Sequence, residues 1–289
     1  MKTITVGADG SDGGLSAVEW AAEAAERRGL PLRIVHASAP WLYTTPVDPR
    51  FGAIREWLLT GAQEVVDAAV EAARRRAPDI TVEGEAVPGP AARAMLEKAE
   101  DAAIVVVGSR GSGQVTGLLF GSTALQVVTH SPVPVVAVRD LEPGVRREIA
   151  IGVDGSEAEE SAIGFAFEEA GLRKARLRVI HVWSHPSTGN GNMKSLVYDP
   201  QLVTEEELRL LAESLAPWRE KYPDIEVVPE VVRGRPVRIL SGASARADLL
   251  VVGTRGRGGF AGLLLGSVSH TLLHHAHCPL AVVPSVPGR

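Results

Sequence analysis

Two stretches of this chain carry residues whose types and spacing could hold a phosphate. Gly108-Ser109-Arg110-Gly111-Ser112-Gly113 is followed, with nine residues between Gly111 and Gly121, by Gly121-Ser122-Thr123. Gly253-Thr254-Arg255-Gly256-Arg257-Gly258 is followed, with nine residues between Gly256 and Gly266, by Gly266-Ser267-Val268-Ser269. The shared pattern is G-x2-G-x9-G-[ST]. Its early glycines can adopt positive φ and let backbone N–H groups come close to an anion. Gly121-Ser122 and Gly266-Ser267 each open a helix, whose unpaired N–H groups and positive dipole end suit a phosphate. The hydroxyls of Ser122, Thr123, Ser267 and Ser269 add donors. For Arg110 and Arg255, phosphate contact and simple solvation both stay open. Glycines that merely turn the chain, with serines as plain N-caps, would explain one copy. Two copies at identical spacing favour a ligand loop.

A second motif also occurs twice. Asp9-Gly10-Ser11 recurs as Asp154-Gly155-Ser156, with Gly7 and Gly152 two residues before each aspartate. A carboxylate beside phosphates is repulsive unless it bonds a ribose hydroxyl, an adenine amine or a shared Mg²⁺. The alternative is an Asx-turn or cap residue leading into a helix.

These motifs need elements to position them, and the whole chain turns out to be a duplication. Asp9, His36, Pro78-Asp79-Ile80, Gly108, Gly121 and Pro134 all recur 145 positions later. A constant offset means nearly equal loop lengths in the two halves, hence two domains, 1–139 and 148–285, joined by a charged Pro-Gly linker at 140–147. Each half reads as strands alternating with helices. In the first half, strands are expected at 3–8, 32–37, 80–87, 104–107 and 133–138. Helices are expected after Ser11 and at 53–76, 91–99 and 122–129. In the second half, Ser156 with Glu159 three residues on has the form of a capping box. Such alternation implies right-handed crossovers and an α/β fold: two doubly wound, five-stranded parallel sheets of order 3-2-1-4-5, flavodoxin-like. In that order the switch point lies between strands 1 and 4. Asp9 and Gly108, or Asp154 and Gly253, would then meet at one crevice.

With these motifs the chain resembles the universal stress proteins, in particular their tandem-domain actinobacterial type, over nearly its whole length. G-x2-G-x9-G-[ST] is that family's ATP-binding motif, and both halves keep it. The resemblance implies an adenine nucleotide α-hydrolase-like fold and one ATP, with Mg²⁺, in each half. It implies that glycine loop and serine hold ribose and phosphates, that Asp9 and Asp154 lie close to the nucleotide, and that backbone at Ala37 and Val182 borders the adenine. For this chain the resemblance implies a nucleotide-dependent regulator of the stress response. Slow ATP hydrolysis, or phosphoryl or adenylyl transfer at the same sites, is the alternative. The last strands, 133–138 and 279–283, would leave exposed apolar edges unless paired. An intramolecular pseudo-dimer through them is therefore expected. A further homodimer is compatible with this, and a protein partner is implied without being named. The segments 41–50 and 184–200 differ between halves, so the two affinities are expected to differ.

Composition excludes several other classes. A net charge of −5 gives no basic surplus for nucleic acid. The start of the chain has no signal-like apolar core, and no run is long enough to span a bilayer, so the expectation is a cytoplasmic chain with no membrane partner. Cys278 is the single cysteine, which rules out an intrachain disulfide. His270, His274, His275, His277 and Cys278 invite a metal reading. Their first-half counterparts are Leu125, Thr129, His130, Pro132 and Val133, so the cluster is not shared, and a hydrated helix C-terminus is expected instead. No G-x4-G-K-[ST], no G-x-S-x-G and no catalytic base stands out, which argues against an efficient enzyme.

Overall fold

The computed structural model describes residues 2–39, 52–109, 120–139, 144–156, 159–183, 200–256 and 264–285. Arg110, Gly111, Ser112, Gly113, Arg257, Gly258 and the segments 41–50 and 184–199 lie outside them, as do residues 140–143 of the expected linker. The chain divides into two compact units, Met1–Pro143 with Pro279–Pro284, and Gly144–Cys278 with Ser285–Arg289.

The first unit runs β1 (Thr3–Gly7), α1 (Asp12–Arg28), β2 (Leu32–Ser38), α2 (Gly52–Arg76), β3 (Val82–Pro88), α3 (Ala91–Ala99), β4 (Ala102–Gly108), α4 (Ser122–His130) and β5 (Val135–Val138). Its parallel strands stand in the order β3-β2-β1-β4-β5. The switch point thus falls between β1 and β4, as the repeat pattern demands. β4 reads AAIVVVG and is buried almost throughout, as a strand covered on both faces must be. α1 lays an alanine-rich face on the sheet, with Ala17, Ala21, Ala24 and Ala25 fully buried, and small side chains let helix and sheet approach closely. Along β5 runs the last strand of the chain, β10 (Leu280–Val283), antiparallel, with Leu280 opposite Ala137 and Val282 opposite Val135. That pairing satisfies backbone groups that an edge would leave open.

The second unit holds β6 (Glu148–Val153), α5 (Glu160–Arg173), β7 (Arg176–Trp183), α6 (Pro200–Lys221), β8 (Val227–Arg233), α7 (Pro236–Ser244), β9 (Leu249–Gly253) and α8 (Ser267–His275). Its strands repeat the order, β8-β7-β6-β9, and even the register. Ile4 faces Leu32 in the first unit, and Ile149 faces Leu177 in the second. Larger side chains fill this core, among them Phe167, Ile151 and Leu215. Phe167 stacks on Trp218 at 5.9 Å between ring centroids, and Gly164 leaves the space that the indole occupies.

The ends of α1 and α5 show how the two copies have diverged. α1 starts on Ser11, whose Oγ accepts from Gly14 N, and stops on Gly29 in the left-handed region at φ 61°. At the equivalent stop of α5, Lys174 takes φ 49° with the same bonding, a strain of roughly 1 kcal/mol relative to glycine. At its start, the capping box expected on Ser156 is not formed. α5 begins at Glu160, and the Glu159 carboxylate reaches past Ser156 to the amides of Asp154 and Gly155.

Candidate functional site

In each unit the carboxyl end of the first strand runs into the Asp-Gly-Ser turn. Gly10 has φ +77° and Gly155 φ +76°, a backbone that L side chains rarely adopt, so glycine is required at both positions. The aspartate before each glycine closes an Asx-turn. Asp9 Oδ1 accepts from Ser11 N at 3.1 Å and from Ser11 Oγ at 2.6 Å. Asp154 Oδ1 accepts from Ser156 N, also at 3.1 Å. The turn therefore uses Oδ1 of each carboxylate and fixes its direction.

From the other side of the switch point come the glycine loops. Both are closed by the same backbone clasp, in which the residue after the fourth strand accepts from the glycine that opens the next helix. Gly121 N donates to Ser109 O at 3.0 Å, and Gly266 N to Thr254 O at 2.7 Å. Ser109 and Thr254 are buried in making it. The clasp brings the start of α4 or α8 back beside the strand end. Gly121 and Gly266 are the N-caps, and neither supplies a side-chain acceptor. The first-turn amides of Ser122, Thr123, Ser267 and Val268 are therefore left to other acceptors.

In the second unit, turn and loop touch. A Cβ built on Gly256 would overlap Asp154 Oδ2, so the aspartate occupies the space that any side chain at 256 would need. Sequence motif and fold thus explain each other: the second glycine of G-x2-G is small because the strand-1 aspartate lies against it. The positive φ that these loop glycines can adopt is not used at Gly108, Gly253 or Gly256. Gly108 and Gly253 end extended strands, and Gly256 shows no positive φ. At Gly256 the constraint is room, not handedness.

Other expected site residues receive different work. The direction in which Gly7 would carry a Cβ is filled by Met95 Sδ at 3.3 Å, and that of Gly152 by Leu240 Cδ1 at 2.6 Å. Both glycines therefore admit α3 and α7 against the sheet. Ser269 Oγ donates to Gly253 O at 2.6 Å, so its proton braces the loop. Arg255 Nη2 donates to Ser285 Oγ at 2.9 Å. Ala37 and Val182 lie half-buried near the ends of β2 and β7, opposite Val87 and Val232.

Two residues that sequence reasoning left out of the site are His36 and His181. Each ring bonds the carbonyl just before the aspartate: His36 Nδ1 to Ala8 O at 2.8 Å, and His181 Nδ1 to Val153 O at 3.2 Å. Their recurrence at the same offset was the available signal. What it could not reveal was the cross-strand bond that anchors the Asp-Gly-Ser turn. His181 Nε2 also lies 3.3 Å from Glu207 Oε2. A third is Glu159. Burial, and secondarily the Asp154 carboxylate, push its carboxyl up to about 7.

The histidine cluster on α8 does not converge into a site. His270 and His274 rings lie 5.4 Å apart, and among the described residues no three His, Cys, Asp or Glu side chains are grouped to hold a metal. Burial pushes the Cys278 thiol up to about 12, so it is a packed, unreactive group. Among the described residues no helix is long and apolar enough to cross a membrane.

Comparison with known proteins agrees with this geometry. The universal stress protein family model matches residues 1–139 and again 146–284. A universal stress protein of Mycobacterium tuberculosis is 37% identical over 286 residues, covering 96% of this chain and 95% of the relative. One from Mycolicibacterium smegmatis is 35% identical over 288 residues, covering 97% and 96%. Among solved structures, a universal stress protein from Archaeoglobus fulgidus superposes with a TM-score of 0.71 over 98% of both chains at 18% identity, a likeness of fold. Two matched copies of the family model and full-length relatives of this kind leave one assignment: the chain belongs to the universal stress protein family.

Proposed function

We propose that the chain binds ATP in each half and acts as a nucleotide-dependent regulator of the stress response in the cytoplasm. The observation that supports this best is the contact of Asp154 with Gly256, which brings strand-1 carboxylate and glycine loop to one point beside a helix start without a side-chain cap. The residues fit the nucleotide. The first-turn amides of α4 and α8 would hold phosphate oxygens, where aligned N–H groups and the helix dipole favour negative charge. Asp9 and Asp154 would accept from a ribose hydroxyl or the adenine amine, and backbone at Ala37 and Val182 would border the base. Mg²⁺ would travel on the phosphates. No residue is assigned to a catalytic step, and bound nucleotide acts by stabilising the folded, liganded form.

A ligand that binds only the folded chain stabilises it by RT ln(1 + [L]/Kd), about 2.7 kcal/mol at a hundredfold excess over Kd. Saturating Mg²⁺-ATP should therefore raise Tm by several degrees, and a non-hydrolysable analogue should do nearly as well. Differential scanning fluorimetry paired with a phosphate-release assay tests this. An unmoved melting curve, or turnover in the roughly 1–100 per second range of kinases, contradicts it.

A further inference from the structure

Of the differences that follow the matching Asp-Gly-Ser turns of the two halves, one bears on the site. In the first half it is Gly14, whose N donates to Ser11 Oγ at 3.1 Å. A Cβ there would lie 2.6 Å from Asp9 Oδ1, so any side chain at this place must meet the aspartate. In the second half the equivalent residue is Glu159, only 8% exposed. Its carboxylate accepts from Asp154 N at 2.7 Å and from Gly155 N at 3.1 Å, directly beside the Asp154 carboxylate, which itself lies against the glycine loop. The turn of one candidate site therefore holds a single carboxylate, and that of the other a pair in which Glu159 is buried and Asp154 half-buried.

We infer that Glu159 makes the second site proton-linked: an anionic phosphate chain binds there with a proton taken up on Glu159, while the first site, with Gly14, binds without it. The inference rests on the proposed nucleotide binding. Two adjacent carboxylates do not both ionise without cost in a poorly solvated place, and the negative charge of a polyphosphate bound in the same site adds to that cost. Glu159 already titrates near neutrality in the free chain, and bound phosphates shift it further up. Affinity is then fully present below about pH 7 and falls as pH rises through it, by at most about tenfold per pH unit for one proton. Among the described residues, Asp154 is the charged group that faces Glu159. The next titratable pair is His181 of β7 with Glu207 of α6, which holds the Val153 carbonyl. Arg255 of the loop bonds Ser285.

The test is calorimetric titration of the full chain with Mg²⁺-ATP at pH 6 and pH 8, in buffers of different ionisation enthalpy. ATP's own terminal phosphate titrates in this range, and the first site reports that contribution alone. One site should weaken by roughly tenfold more than the other from pH 6 to pH 8 and take up more protons. Glu159→Gln, which keeps the carbonyl acceptor, should erase the difference. Glu159→Gly, which copies Gly14, should do the same. Two sites with identical pH profiles, or a difference that survives both substitutions, overturn the inference while leaving nucleotide binding intact. Failure of either site to bind ATP at either pH overturns the functional reading, and the inference with it.

Discussion

Replacing Gly256 by alanine is expected to remove nucleotide binding from the second half and leave the first unaffected. The cause is local. Asp154 Oδ2 fills the space a methyl group would take, and Asp154 is not free to yield. Its Oδ1 closes the turn onto Ser156 N, and its own N–H is held by Glu159. Either the aspartate leaves its turn or the loop moves off the strand end, and a displacement of about 1 Å in a positioning group can cost a hundredfold. Overpacking adds a stability loss of about 1–3 kcal/mol. Equilibrium dialysis should find one ATP per chain in the variant, with the remaining affinity unchanged. Unaltered binding at both sites would contradict the placement of Asp154 against the loop.

The second large effect concerns the turns themselves. Gly10→Ala combined with Gly155→Ala forces two L side chains into φ near +77°, at about 1–2 kcal/mol each. Gly10→Ala has a further conflict, since its Cβ would come within 3.2 Å of Val65 Cγ2. A loss of about 2–4 kcal/mol is expected in denaturant unfolding. The matching pair of asparagine substitutions should lose less, because asparagine tolerates this conformation better. Equal losses for alanine and asparagine would show that room, not backbone handedness, governs these positions.

Much of the architecture was legible in the sequence because duplication repeats it. The 145-residue offset predicted nearly equal loop lengths, with which the equal registers of β1–β2 and β6–β7 agree, and the strand order followed from helices alternating with strands. The Asx-turn at Asp-Gly-Ser was also readable, as one of the two readings open for the aspartate. What escaped were contacts between residues distant in the chain. Gly7 and Gly152 look like ligand-loop glycines until Met95 and Leu240 are seen packed over them. Gly256 looks like a glycine chosen for positive φ until Asp154 is found against it. Glu159 was read as half of a capping box because spacing cannot tell which amide a carboxylate will reach. It passes over Ser156 to Asp154 and Gly155, and this sets the second half apart from the first.

The central claim is that both halves hold ATP, and the stoichiometry of binding to the unmodified full-length chain tests it most directly. Equilibrium dialysis against labelled Mg²⁺-ATP at pH 6, where the Glu159 carboxyl is mostly protonated, should reach two nucleotides per chain. Saturation at one or at none, with the chain folded by circular dichroism, would contradict it.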